Sequence, residues 1–315
     1  MNCSALLRHY EHYYFLLLNM LFIGVLLLSL TACSDEQTEA YAPTVTKTTR
    51  QSSETVYIFS IHPLHNPTRL HNIFGPVMDY LSNNIEGVRF KLEASRNYAA
   101  YDKKLYAEKA DFSLPNPFQT VNSLNHNFRV FGKMGDDDNF RGIILVRKDS
   151  GINSVSDLKG KAVSYPAPTA LAATMLPQYY LQTHGLHVMT DVENRYVGSQ
   201  ESSIMNVHLG NVAAGATWPP PWRALSKERP ELLETLEIKW QTQSLPNNGL
   251  VANKRVPEKI VKQVAELLFN LHTHEEGKAI LEKMELSRFE AATDKTYQPV
   301  LDFLEIFKVA VRPIN

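Results

Sequence analysis

Between residues 56 and 218 short apolar runs alternate with amphipathic stretches, and this alternation restricts the possible folds more than any other feature. Val56-Tyr57-Ile58-Phe59-Ser60-Ile61 reads as a buried strand. Leu70, Ile73, Phe74, Val77, Met78 and Leu81 then recur at helical spacing. Strands are expected at 88–92, 110–114, 128–131 and 142–146, with helices at 97–109 and 118–124 between them. Strand and helix in alternation predict an α/β chain with a mainly parallel sheet covered on both faces. The pattern then restarts. A strand at 162–165 leads through Pro166-Ala167-Pro168-Thr169 into a helix over 170–184, closed by Gly185. A strand at 195–197, a helix at 199–209 and a small-residue strand at 212–218 follow. Pro219-Pro220-Pro221 opens the next helix, since proline suits a first turn. Helices at 257–271, 275–284 and 296–311 close the chain.

A length of 315 residues accords with two lobes. The expected division is lobe 1 at 56–146 and 246–315, lobe 2 at 147–245, with the connecting strands near 143–148 and 241–251. The segment ahead of this body is different. From Tyr13 to Ala32 the chain has no charged residue, and it turns polar straight after Cys33. An apolar run ending in small residues is the pattern of a secretory signal, here 1–32. Leu30-Thr31-Ala32-Cys33 is similar to the bacterial lipobox, which makes Cys33 the expected lipidation site. An uncleaved membrane helix is the other reading, since about 20 apolar residues suffice to span. Both put the body outside the cytoplasmic membrane. Residues 33–55, rich in Ser, Thr, Glu and Gln, read as a disordered tether reaching about 25 Å. The chain has two cysteines, Cys3 and Cys33, so the body has neither disulfide nor cysteine nucleophile.

A formal net charge of −1 gives no basic face for nucleic acid. No G-x-x-x-x-G-K-[ST], H-E-x-x-H, G-x-S-x-G or G-x-G-x-x-G is present, so neither an enzyme nor a cofactor is expected. His62, His65 and His71 lie close together but have no second ligand set; 62 and 65 read as a polar loop. The strand-to-helix turn from Tyr165 to Thr169 is the best candidate site. Ligands of open α/β sheets sit beyond strand carboxyl ends, and the next helix offers unpaired N–H groups to an anion. Thr169 is the expected N-cap. Arg141 can neutralise an anion or make a surface ion pair. Trp218 and Trp222 can wall a pocket or serve packing.

Over residues 55–310 the chain resembles the phosphate, phosphite and phosphonate-binding proteins of ABC importers. The stretches that carry this are VYIFSIHP, GPVMDYLSNNI, RNYAAYDKKLYAEKADFSLPNP, FRGIILVRKDSGINSVSDLKGKAV, PTALAATMLPQYYLQTHGL and ENRYVGSQESSIMNVHLGNVAAGA. The resemblance implies a type II periplasmic binding protein fold: two α/β lobes joined by two hinge strands, with a small anionic ligand in the cleft. It implies a monomer working with an ABC permease or a membrane sensor. The implied ligand set is His62, Asn116, Arg141, Tyr165, Thr169, Ala170, Gln200, Glu201 and Trp218. Several positions depart from the family pattern. Ala170-Leu171-Ala172-Ala173 stands where the family often has Ser-Thr-Ser-Gly. Gln200 replaces a His, Ala213 an Asp and Pro115 a Tyr, whereas Glu201 is kept.

Overall fold

The computed structural model describes residues 54–314. The signal segment 1–32, Cys33 and all but the last two residues of the tether lie outside the described residues. The first strand starts one residue earlier than expected, so Thr55 is already paired.

The chain opens with β1 (Thr55–Ile61), α1 (Pro67–Asn84) and β2 (Val88–Glu93). Next come α2 (Tyr98–Tyr106), β3 (Phe112–Leu114), α3 (Pro117–Ser123) and β4 (Phe128–Met134). Asparagine caps all three helices: Asn66, Asn97 and Asn116 accept the N–H groups of Arg69, Ala100 and Gln119. Asn116 and Gln119 also form a reciprocal capping box. The second run has β5 (Arg141–Arg147), β6 (Ala162–Tyr165), a π-helical turn (Leu171–Met175) and α4 (Leu176–Thr183). It continues with β7 (Glu193–Tyr196), α5 (Gln200–His208), β8 (Ala214–Thr217), α6 (Pro219–Glu228), α7 (Glu231–Thr235) and β9 (Leu236–Ser244). The chain returns through β10 (Gly249–Asn253), α8 (Glu258–Phe269), α9 (Glu275–Lys283), β11 (Phe289–Ala291) and α10 (Gln298–Ala310).

Two sheets result, in the orders β11-β4-β10-β3-β1-β2 and β7-β6-β8-β5-β9. The α/β class with two sheets flanked by helices is as expected. Each sheet is mixed, however. β1 pairs in parallel with β2 and β3, and β6 with β7 and β8, while the remaining pairs are antiparallel. The antiparallel halves contain β5 and β10, the strands that enter each sheet from the other lobe.

This pairing moves one expected boundary. β5 lies wholly in the five-stranded sheet, between β8 and β9. The chain therefore crosses at 135–140, not at 146/147, and returns at 245–248. An apolar strand looks the same in either sheet; only its partners decide. The two crossings are bonded to each other: Leu245 N–H donates to Phe140 O (3.1 Å) and Met134 N–H to Asn248 O (2.9 Å). Asn247 pins them further, donating from Nδ2 to Gly135 O (2.7 Å) and accepting at its carbonyl from the Tyr297 hydroxyl (2.6 Å).

The first core is aromatic, with Phe59 stacked on Phe112 and Tyr57 edge-on to it. It continues into Ala170–Leu176 and Trp218 of the second lobe. β5 serves two further cores by strand alternation, with Ile144 and Val146 on one face and Ile143 and Leu145 on the other. Beyond α10 the chain reaches across once more. Arg312 donates to Gln178 Oε1 (3.1 Å) and Pro168 O (2.7 Å), with its guanidinium over the Phe307 ring.

Candidate functional site

The carboxyl ends of β1, β3, β6 and β8 meet between the lobes and enclose a cavity. His62, Tyr98, Asn116 and Phe140 line it with Ala170, Leu171, Ala172, Ala173, Gln200, Trp218 and Asn248. It is small, with room for roughly one water.

One wall is the turn that follows β6. Ala170 takes the cap position without a side-chain bond, so Thr169 is not the N-cap. Its carbonyl instead accepts from Asn116 Nδ2 across the cleft (3.0 Å), and its hydroxyl faces Asp102 (3.4 Å). Met175 N–H reaches back five residues to Ala170 O, so the turn is wider than an α-helical one. Pro177 explains this: it has no N–H for Ala173 O, and its ring would crowd that carbonyl in a regular helix. Among the described residues, no acceptor is bonded to the N–H groups of Leu171, Ala172 and Ala173. These amides carry the positive end of the helix dipole to the cavity wall. The methyl groups of Ala170, Ala172 and Ala173 add no donors.

The opposite wall is polar and uncharged. Gln200 donates to Tyr98 Oη (3.3 Å) and accepts from Thr217 Oγ1 (2.8 Å), which fixes its amide and leaves one N–H over. Asn116 is held in the same way by Thr169 O and the Gln119 N–H. Burial pushes the Tyr98 hydroxyl above its ordinary pKa, against the Gln200 bond, so it stays a donor. His62 Nδ1 lies 2.8 Å from Leu114 O, and burial lowers its pKa to about 4 despite that bond. His62 and His65 are thus buried, not part of a polar loop. Among the described residues, no group of three or more His, Cys, Asp or Glu is placed to share a metal. Phe140 and Trp218 supply the apolar side, with ring centroids 5.6 Å apart.

His62, Asn116, Ala170, Gln200 and Trp218 of the expected ligand set line the cavity; four others do not. Arg141 lies outside, donating to Gln241 Oε1 (2.8 Å) and to Asp138 O. Tyr165 is sealed in the second-lobe core against Tyr196, its hydroxyl without a partner. Thr169 faces away as described. Glu201 lies outside the lining, accepting from Asn66 Nδ2 (3.0 Å) and Arg69 Nη1 (3.2 Å). Arg69 also pairs with Glu228, and Glu285 pairs with Arg223 (2.7 Å) and Lys227 (2.5 Å), so ion pairs of both polarities join the lobes there. Ala213 precedes β8 at the far end of that strand and lines a surface groove with Arg147 and Ala162. The end of β8 that meets the cavity carries Trp218. Pro115 is likewise outside the lining; its neighbour Asn116 is inside. Tyr98, Phe140 and Asn248 escaped the sequence reading. Asn248 lies in the Pro246-Asn247-Asn248-Gly249 turn, whose site role depends on the crossing it makes.

Comparison with known proteins gives consistent results. A family model described as the periplasmic substrate-binding protein of phosphonate ABC transporters matches residues 59–297. A probable ABC transporter phosphite-binding protein from Prochlorococcus marinus (strain MIT 9301) is 25% identical over 195 residues. That match covers 58% of this chain and 64% of the relative, just under two thirds of its length. A phosphonates-binding periplasmic protein from Escherichia coli (strain K12) is 23% identical, covering 70% of this chain and 68% of its own. Among solved structures, PhnD1 from the same Prochlorococcus strain, in complex with methylphosphonate, superposes with a TM-score of 0.75. It is 21% identical and the match covers 81% of this chain and 99% of that one. A binding protein component of an ABC phosphonate transporter from Pseudomonas aeruginosa gives 0.73 at 18% identity, covering 81% and 87%. At these identities the structural likeness speaks for the fold.

Proposed function

The chain belongs to the periplasmic substrate-binding protein family of phosphonate ABC transporters, and we propose that it binds a small oxyanion in the interlobe cavity and delivers it to an ABC permease. The observation that carries this reading is the trio of amides at Leu171, Ala172 and Ala173, unbonded among the described residues and belonging to residues that line the cavity. Such amides suit an anion's oxygens, and the helix dipole adds to the attraction. The relatives' printed ligands, phosphite and phosphonates, are of that class. Hinge motion about 135–140 and 245–248 would admit the ligand, and closure would form the ion pairs that join the lobes. The body would be held at the periplasmic face of a membrane by lipid on Cys33.

The alanines distinguish this chain's grip from the family pattern. A hydroxyl donating to a charged oxygen contributes about 1.5–3 kcal/mol. Without hydroxyls at 170, 172 and 173, binding should rest more on amides and fit. A thermal-shift panel of phosphate, phosphite, methylphosphonate, methanesulfonate and neutral amino acids tests the reading. A ligand at 100 times its Kd should add about 2.7 kcal/mol of stability. Stabilisation by at least one oxyanion is expected; a shift with the amino acids alone would overturn it.

A further inference from the structure

We infer that Asn248 and His62 make the cavity selective for oxyanions that carry a single charge and at least one hydrogen-bond donor of their own. This rests on the reading that the cavity holds an oxyanion.

Two lone pairs, on residues that line the cavity, carry the inference. Asn248 is completely buried. Its Nδ2 donates to Met134 Sδ (3.3 Å), its N–H to Asn247 Oδ1 (2.8 Å), and its carbonyl accepts from Met134 N–H. Only Oδ1 is left without a partner. The amide is oriented with its NH2 on the sulfur, which accepts and cannot donate. His62 is the second acceptor. Its Nδ1 proton goes to Leu114 O, so Nε2 keeps its lone pair, and among the described residues no donor reaches it. A buried acceptor with no donor, as at Asn248 Oδ1, is costly, and a ligand N–H or O–H removes that cost; His62 Nε2 is not sealed in the same way and offers an open lone pair.

The charge follows from the same inventory. No lysine, arginine, aspartate or glutamate lines the cavity. The anion meets only neutral donors: backbone dipoles, the Tyr98 hydroxyl and side-chain amide N–H groups. A second charge would be buried with no cation beside it. A fully ionised dianion, or a sulfonate, would also turn lone pairs towards Asn248 Oδ1 and His62 Nε2. A singly protonated phosphonate or phosphite satisfies both sides: its bare oxygens face the amides and its O–H faces the acceptors.

The titratable groups around the cavity do not supply this preference. His62 is neutral at ordinary pH, and burial with the nearby Arg69 holds His65 to about 3. Burial raises the hydroxyls of Tyr98 and Tyr101. Asp102, pushed up to about 6, is separated from the cavity by Gln119 and Asn116. Outside the lining, Arg69 and Glu201 neutralise each other.

Calorimetric titration with methylphosphonate and methanesulfonate across pH tests the inference. Methylphosphonate affinity should fall about tenfold per pH unit above its second ionisation. Methanesulfonate should bind at least about tenfold more weakly at the acid end and show no such slope, because the site rejects an analogue that leaves its buried polar groups unpaired. A titrating protein group would move both ligands together, whereas ligand protonation moves methylphosphonate alone. Asn248→Leu and His62→Phe, made separately, should each narrow the ratio by about tenfold. Equal affinities, or affinity rising with pH, would overturn the selectivity while leaving the oxyanion reading intact. A preference unchanged in both variants would remove these two residues as its cause. Binding of neither ligand at any pH would overturn the selectivity and the oxyanion reading together. The wild-type comparison stands even if a variant fails to fold.

Discussion

Burial sets the protonation of His62 and His65 before any ligand arrives, and this gives the fold a pH dependence. Their folded values, about 4 and about 3, lie below the ordinary histidine range. As pH falls below about 6.5, the unfolded chain takes up these protons and the folded chain does not. The associated stability is therefore complete above that pH and lost on acidification towards 4, at roughly 1.4 kcal/mol per pH unit for each ring. Asp102 works the other way. Burial raises it to about 6 in spite of the Gln119 and Thr169 bonds, so its contribution is present below the usual carboxylate range and lost as pH rises to 6. Two groups outweigh one, and urea midpoints should fall between pH 6 and 4. His65→Gln should flatten that fall; an unchanged profile in this variant would contradict the assignment. At this scale the sequence was partly legible. His62, Asn116, Gln200 and Trp218 followed from the family resemblance, and the structure brings them to the cavity. The places of Tyr165 and Arg141 could not be read, because burial and side-chain direction depend on partners far away in the chain.

Among elements, the wide turn ahead of α4 is the one on which the site depends, and β5 holds it in place. Gly142 on β5 is where the two meet. A Cβ there would come within 2.5 Å of Ala172 O and 2.7 Å of the Pro177 ring. Neither is the free end of a flexible side chain, so relief must come from moving the turn. Gly142→Ala should cost about 1–3 kcal/mol of stability, seen as a lower denaturation midpoint. It should also weaken oxyanion binding by more than a comparable change at Gly249, where the Cβ would meet the Thr120 side chain. Equal ligand affinity in Gly142→Ala and wild type would mean that the turn does not position the amides. Helical spacing predicted this helix correctly, yet the π-helical start was not visible in it. Ala-Leu-Ala-Ala is good helix sequence, and only the clash set by Pro177 widens it. β11 and α7 were missed for another reason: segments of three to five residues show too few periods to read.

The molecule as a whole couples two lobes through more than its two hinge crossings. Ion pairs join the lobes, Asn116 bonds Thr169 across the cleft, and Arg312, beyond α10, bonds to the second lobe. The proposed membrane attachment belongs to this scale as well. Cys33→Ala should release the protein from the membrane fraction or block its maturation, as read by fractionation; unchanged retention would rule out the lipid anchor. The two-lobed α/β plan was legible from the alternating pattern, while the lobe boundary was not, because membership of β5 is decided by pairing. The Arg312 guanidinium grips Pro168 O, just ahead of the turn that presents the amides. Arg312 is absent from the cavity lining, so a substitution there would loosen the approach to the turn while leaving every residue that faces the cavity in place.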